Sequence, residues 1–541
     1  MKTINAHELY KRMQAPEGTW PHRQWALFDV REPGESQNGH IPSATFLPRR
    51  MLEYRLPELL STKATPVILY DSGQADDSRA KLAAQSMDDF GYTDVTGLDR
   101  GAAAWQSAGH ELATGWNVPG KDFGERQLAV SNVPYLSPDE LADRLAQGEK
   151  IGIFDVRTPG EYRESSIPGS ISAPSFEWAS HIKDIADTYD TIIIHCAGRT
   201  RSIIGAATAC ALGIDNIHSL ENGTMGWILA DRELAKGQDG ILGTPSDKSR
   251  RYAQQRSRQL ADESGAAYIA ADTLRNWSND RSHTPVYIFD TRDMDAYTAG
   301  HIPGAISLPG GQACQRADDF AAVPGSRIVF VDDDDARAAL SAYWYCRMGF
   351  PNVSVLDQGM PGWLQMQYPI ETGRGRSALL GLESAERATQ AYDAVAFAKV
   401  LDLEKPPLVI DVGTSEQFAA CHIRGAIWIP RGSLEDKIND YANTSTPLVL
   451  TARDPNQSTF AAASLVAKGF TDVRRLLVPG KDWHQSLSTE TGLPEGMAST
   501  QDTLAIPYLQ NKARMREYLE WEEKLGQKHK SESSTSGARV P

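Results

Sequence analysis

The sequence predicts an α/β protein made of four tandem copies of one module, each a parallel sheet with helices on both faces. Three observations carry the prediction. Short apolar runs of strand length, bounded by turn residues, alternate with segments whose apolar residues fall at helical spacing. Four sequence elements recur in the same order four times along the chain. The length of 541 residues leaves room for three or four domains at about 150 residues each.

The first element is an apolar run ending in an acid: WALFDVREPGE (residues 25–35), IGIFDVRTPGEY (151–162), VYIFDTRDMDAY (286–297) and LVIDVGTSEQF (408–418). Its anchoring acids, Asp29, Asp155, Asp290 and Asp411, are 126, 135 and 121 residues apart. The second follows about ten residues later as a turn: GHIPSA from Gly39, SSIPGSI from Ser165, GHIPGAI from Gly300 and CHIRGAI from Cys421. The third is a β-rich run, PVILY, TIIIH, RIVFV and PLVLT, which ends before Asp71, Cys196, Asp332 and Ala452. Helical segments such as SIIGAATACALG and AALSAYWYCRMG come next. The fourth element is a glycine followed by a tryptophan: Gly101 and Trp105, Gly223 and Trp227, Gly359 and Trp363, Gly480 and Trp483.

Gly-rich polar stretches at 115–127, 237–249 and 371–384 read as linkers. The expected domains are therefore 1–127, 128–247, 248–376 and 377–497, followed by a C-terminal segment 498–541. The charged stretch 248–263 reads as a helix leading into the third domain, and 511–528 as an amphipathic helix. The polar tail SESSTSGARVP is expected to be disordered.

Composition removes several function classes. Apolar residues make up 41%, and counting Gly in place of Tyr gives about 46%, the ordinary globular range. With 70 acidic against 55 basic residues the net charge is -15, the wrong sign for gripping phosphate backbones. Five scattered cysteines, with no CxxC pair and no His/Cys cluster at ligand spacing, argue against a disulfide framework and a zinc site. No signal-peptide core and no long apolar stretch is present, so a soluble protein of a reducing cytoplasm is expected, without nucleic-acid or membrane partners.

Open parallel sheets place chemistry beyond the carboxyl ends of their strands. At that position the second copy has Cys196-Ala197-Gly198-Arg199-Thr200-Arg201-Ser202, alone among the four loops in having a cysteine. A helix N-terminus stabilises an anion. Arg199 and Arg201 add two permanent charges, and Gly198 lets the backbone curl around the sulfur. An exposed, doubly cationic loop holding Cys196 as a thiolate is the expectation. His195 reads as a neighbour of the thiol or a packed ring, and Cys210 as core.

Set after the FDVR and IPG elements, this loop resembles that of the rhodanese superfamily of sulfurtransferases, over residues 1–495. The resemblance implies that Cys196, at the head of the six-residue loop closed by Arg201, takes sulfane sulfur from thiosulfate or a related donor as a persulfide. It would then pass the sulfur to cyanide, a thiol or a protein acceptor. Ala197, Gly198, Arg199, Thr200, Arg201 and Ser202 would bind the donor, with no cofactor and no metal. The same residues leave open a persulfide carrier whose other copies form docking surface. A cysteine phosphatase, which needs one more residue between cysteine and arginine, and an arsenate reductase are the remaining readings.

Asp71, Asp332 and Ala452 offer no soft nucleophile, so copies one, three and four are expected to be catalytically silent. The run Asp332 to Asp335 reads as a solvated acidic loop ahead of a cation site. Asp29 with Arg31, Asp155 with Arg157 and Asp290 with Arg292 recur where the cysteine does not. They are expected to pin strand to loop, and the tryptophans to pack corners.

Overall fold

The computed structural model describes residues 1–14, 24–131, 133–280, 285–375, 379–477, 487–494, 501–506 and 510–535, the last nine of these by backbone alone. Each copy forms one five-stranded sheet whose strand pairs are parallel. Counting strands within a copy, the order across each sheet is 1-5-4-2-3. In the second copy these are Tyr135–Leu136, Ile217–Leu220, Thr191–His195, Ile151–Asp155 and Ile171–Ser172. The α/β prediction holds in all four copies. The fourth adds a two-stranded antiparallel ribbon, His422–Ile423 with Thr489–Glu490.

The apolar runs are central strands because both faces are covered. Ile192, Ile193 and Ile194 are all buried, as are Ile288 and Phe289 in the third copy. Register then sets the site: Ile151 pairs with Thr191 and Asp155 with His195, so acid and imidazole leave the sheet side by side at its carboxyl edge.

The chain divides into two compact units. One comprises residues 1–13, 25–116 and 376–505, which are copies one and four; the other comprises 14–24, 117–375 and 506–541, which are copies two and three with the C-terminal segment.

Stretch 115–127, expected as a linker, is largely a helix, Val118–Val130, that runs through the expected 127/128 junction. Its glycines serve packing. A Cβ on Gly120 would lie 2.3 Å from the Gln315 carbonyl oxygen, and one on Gly124 would lie 3.0 Å from Thr200 Cγ2. Glycine here buys close approach of backbones at the expense of helix propensity. Helix Asp247–Glu263 matches its expectation. The C-terminal helix, Lys512–Thr535, runs into the segment expected to be a disordered tail. Residues 536–541 lie outside the described residues, as do Gly480 and Trp483. No helix among the described residues is long and apolar enough to cross a membrane.

Candidate active site

Strand Thr191–His195 ends at Cys196, and helix Thr200–Ala211 starts four residues later. Between them the backbone turns beneath a wall of other elements, and all of residues 191–210 except Cys210 are buried. Cys196 is 2% exposed, and its Sγ lies 3.5 Å from Ser202 Oγ as a donor to it. Ser202 Oγ in turn donates to the Arg199 carbonyl at 2.8 Å, which ties the loop's two ends together.

Beneath the loop, Asp155 takes Arg157 through both oxygens, with Nε to Oδ1 at 3.0 Å and Nη2 to Oδ2 at 2.7 Å. Ser166, which stands where the other copies have His40, His301 and His422, donates to Asp155 Oδ2 at 2.6 Å. Burial would raise the Asp155 pKa, but the His195 and Arg157 charges with these hydrogen bonds hold it at about 2. His195 is fully buried, with Nε2 3.9 Å from Asp155 Oδ2, and burial pushes its pKa down. It is the packed ring of the two readings. The same strand-to-loop pair recurs as Arg31 with Asp29 and Arg292 with Asp290.

The exposed cationic loop is overturned. Arg199 is 6% and Arg201 8% exposed, and each guanidinium is committed to carboxylates. Arg199 donates to Glu125 Oε1 and Oε2 at 2.6 and 2.8 Å, to Glu523 at 3.0 Å and to Asn222 Oδ1 at 3.0 Å. Arg201 donates to both oxygens of Glu161, at 3.0 and 2.9 Å. Glu161 also closes the capping box of helix Pro159–Glu164, and although burial works against it, Arg201 and Thr158 hold its pKa at about 2. A buried guanidinium needs a fixed counter-charge, and the chain supplies one from a distant element each time. The arginines therefore brace the loop.

The sulfur's own backbone is braced by the fourth element. Cys196 and Ala197 carbonyls accept from Thr224 and Met225 N–H groups at 2.9 and 3.0 Å. Gly223 has φ +53°, and a Cβ there would lie 2.2 Å from the Cys196 carbonyl oxygen. Gly101 and Gly359 meet the Asp71 and Asp332 carbonyls in the same way, at 2.4 and 2.0 Å. The recurrent glycine is thus the seat of the loop, and the tryptophan four residues on turns the next corner: Trp105, Trp227 and Trp363 each donate Nε1 to a carbonyl six residues later.

In two sister loops a side-chain anion occupies the loop. Asp71 accepts from the N–H groups of Gly73 and Ala80, both at 3.0 Å. Asp332 accepts from those of Asp333, Arg337 and Ala338 at 2.7, 2.9 and 3.3 Å. In the second copy no protein acceptor faces the N–H groups of Ala197, Gly198 and Arg199 among the described residues. A short side chain there leaves the donors for an anion built on the sulfur.

The remaining candidates fall into structural places. Asp332, Asp333 and Asp334 come close enough to share an ion, but Asp332 is fully buried and takes Arg337, while Asp334 takes Ser180. Asp332 at the head of the loop is buried, whereas Asp333 is exposed and Asp334 and Asp335 are half-buried, so only its first acid departs from the expected solvated loop. Cys210 is half-buried where a core position was expected, and burial raises its thiol pKa, as it does for Cys314 and Cys346. Sequence reasoning missed Glu125, Glu161, Glu522 and Glu523. Only the capping-box spacing of Glu161 left a local trace.

These features define an α/β protein with a cysteine at the head of a strand-to-helix loop. A family model described as the rhodanese-like domain matches residues 5–108, 137–230, 270–366 and 394–484, and the chain belongs to that family. The crystal structure of a thiosulfate sulfurtransferase from Pseudomonas aeruginosa matches with a TM-score of 0.85 and 33% identity, covering 98% of each chain. The thiosulfate sulfurtransferase GlpE of Pseudomonas fluorescens is 34% identical over 94 residues, 17% of this chain and 85% of that protein. The centrosomal protein of 41 kDa of Gallus gallus is 28% identical over 172 residues, 27% of this chain. The chain spans about half the length of that relative, 46%.

Proposed function

We propose that the protein is a sulfurtransferase that carries sulfane sulfur on Cys196, with Ala197 to Ser202 as the loop that binds donor and persulfide. The observation that carries this reading is the set of unengaged N–H groups around the sulfur, at a place where two sister loops each hold a carboxylate. In the first half-reaction the Cys196 thiolate attacks the outer sulfur of thiosulfate or a related donor. A new S–S bond forms, and the old one breaks with its electron pair leaving on sulfite. In the second, cyanide or a thiol attacks the terminal sulfur and returns Cys196 to thiolate. No oxidant is needed. None of the five cysteines is in a disulfide, which suits a reducing compartment such as the cytoplasm.

Incubation with thiosulfate should add the mass of one sulfur atom to the peptide containing Cys196, and cyanide should remove it. Cys196→Ser should abolish transfer, whereas Cys210→Ala should keep most of it. An active Cys196→Ser protein overturns the assignment. Persulfide without turnover points to a dedicated carrier, and an unchanged mass with turnover of a phosphate ester or arsenate points to the other chemistries of such a loop.

A further inference from the structure

Every residue from Cys196 to Ser202 is buried, the cysteine itself being 2% exposed. A donor that is to bond the sulfur and the loop's N–H groups therefore needs part of the cover to move. Over Gly198 and Thr200 three helices of the same compact unit supply that cover, Val118–Val130, Gly223–Leu229 and Lys512–Thr535. Gly124 of the first lies against Thr200, and Met225 Cε of the second is 2.7 Å from where a Gly198 Cβ would stand. From the third, Leu519 Cδ2 is 3.8 Å from that same point, Glu522 Oε1 accepts from Thr200 Oγ1 at 3.3 Å, and Glu523 takes Arg199 at 3.0 Å.

The three are not held alike. Glu125 of the first binds Arg199 through both oxygens, and Thr224 and Met225 of the second hold the Cys196 and Ala197 carbonyls. Neither can leave without dismantling the loop. Helix Lys512–Thr535 belongs to no sheet, so its departure breaks no strand pair. Among its residues with described side chains the buried ones are Met515, Tyr518, Leu519, Glu522 and Gly526, a narrow stripe at helical spacing flanked by exposed charged residues. Its other ties include Lys512 with Asp231, an exposed pair at 2.5 Å, and the Lys121 ammonium, 5.0 and 4.9 Å from the ring centroids of Tyr518 and Trp521. A helix gripped by one narrow stripe undocks at a lower free energy than a sheet covered on both faces unfolds.

We propose that helix Lys512–Thr535 is a gate on the Cys196 loop, closed in this structure, and that a donor reaches the sulfur only when Leu519 and Glu522 lift from Gly198 and Thr200. This rests on the sulfurtransferase reading above, since a sulfur that is loaded and then discharged has to admit two reactants in turn. When Glu523 leaves, Arg199 keeps Glu125 and Asn222, so the loop retains its brace with the gate open.

The test follows alkylation of Cys196 by iodoacetamide in the full chain, read peptide by peptide by mass spectrometry. Cys314 is the internal standard: it is 1% exposed, on a helix of the same unit, Gly310–Gln315, that packs on helices Thr200–Ala211 and Ala336–Met348. Leu519→Ala should speed alkylation of Cys196 at least about tenfold, because it removes apolar grip from the closed gate, and should change that of Cys314 little. In the unaltered protein the Cys196 rate should rise less steeply with urea than the Cys314 rate, since undocking one helix exposes less surface than unfolding the unit. This measurement stands even where the variant folds poorly. An unchanged Cys196 rate in a folded Leu519→Ala protein overturns the proposal, as does a Cys196 rate that follows urea as steeply as that of Cys314. Persulfide formed from thiosulfate, with alkylation unmoved by the variant, removes the gate and leaves the sulfurtransferase reading. Faster alkylation with no persulfide from thiosulfate or methanethiosulfonate removes that reading and leaves the helix as the cover of the sulfur.

Discussion

Arg199 is bound to Glu125 by two parallel hydrogen bonds, Nε to Oε1 at 2.6 Å and Nη2 to Oε2 at 2.8 Å, with both side chains almost wholly buried. The Cys196 loop of the second copy is thereby fastened to a helix that precedes its sheet in the chain. An arginine that looks, in sequence, like part of an anion cradle is a brace.

Removing one partner should therefore cost stability first. Arg199→Gln leaves Glu125 buried without its charge partner and should destabilise the unit by about 3–5 kcal/mol, read from denaturant midpoints. Adding Glu125→Gln should recover much of the loss, because both charges are then gone. Arg201→Gln should cost less, since the Glu161 side chain is 33% exposed and can turn to water. A folded Arg199→Gln protein of parental stability would mean that the pair contributes nothing.

The seat glycines separate stability from chemistry. Gly223→Ala forces a Cβ to 2.2 Å from the Cys196 carbonyl and Gly101→Ala forces one to 2.4 Å from that of Asp71, both at positive φ. Each should cost about 2–4 kcal/mol. Only Gly223→Ala displaces the sulfur, so it should lower sulfur transfer at least tenfold while Gly101→Ala leaves it near the parental rate. Equal activity in the two variants would dissociate the loop seat from the chemistry.

Two equivalent acids should respond to pH in opposite senses. The Asp155 pKa, held at about 2 against an ordinary 3.8, contributes stability that is fully present above 3.8 and lost as pH falls toward 2. Asp411 has Gly413 where the other copies have arginine, and burial pushes its pKa up to about 6 despite hydrogen bonds from Gly413 N–H and Thr451. Its folded form holds a proton that the unfolded chain has released between pH 3.8 and 6, so its penalty is greatest above pH 6 and fades on acidification. Asp411→Asn should stabilise the protein by about 1–2 kcal/mol near pH 8 and have little effect near pH 4. Asp155→Asn should destabilise it at neutral pH by breaking the Arg157 pair. Thermal midpoints across that range check both, and a pH-independent Asp411→Asn effect would rule out its titration.

What could be read without coordinates was whatever repeats or is local. Four copies, central strands ending at Asp29, Asp155, Asp290 and Asp411, and one cysteine among four equivalent loops all follow from recurrence and from the apolar length of a strand covered on both faces. The Asp155–Arg157 pair was legible because its partners are two residues apart. The distant partners were not. Glu125, Glu522 and Glu523 reach Arg199 and Thr200 from 74 or more residues away, and only folding brings such groups within bonding distance. The glycines of 115–127 misled because the residue that frees a loop also lets two backbones touch, and the sequence alone does not say which. Sequence thus determined the module, its number and the one loop of the four that has a cysteine. Tertiary structure decided the electrostatics of the site, since the charge a donor meets depends on which carboxylates are buried beside it, and that is a property of packing.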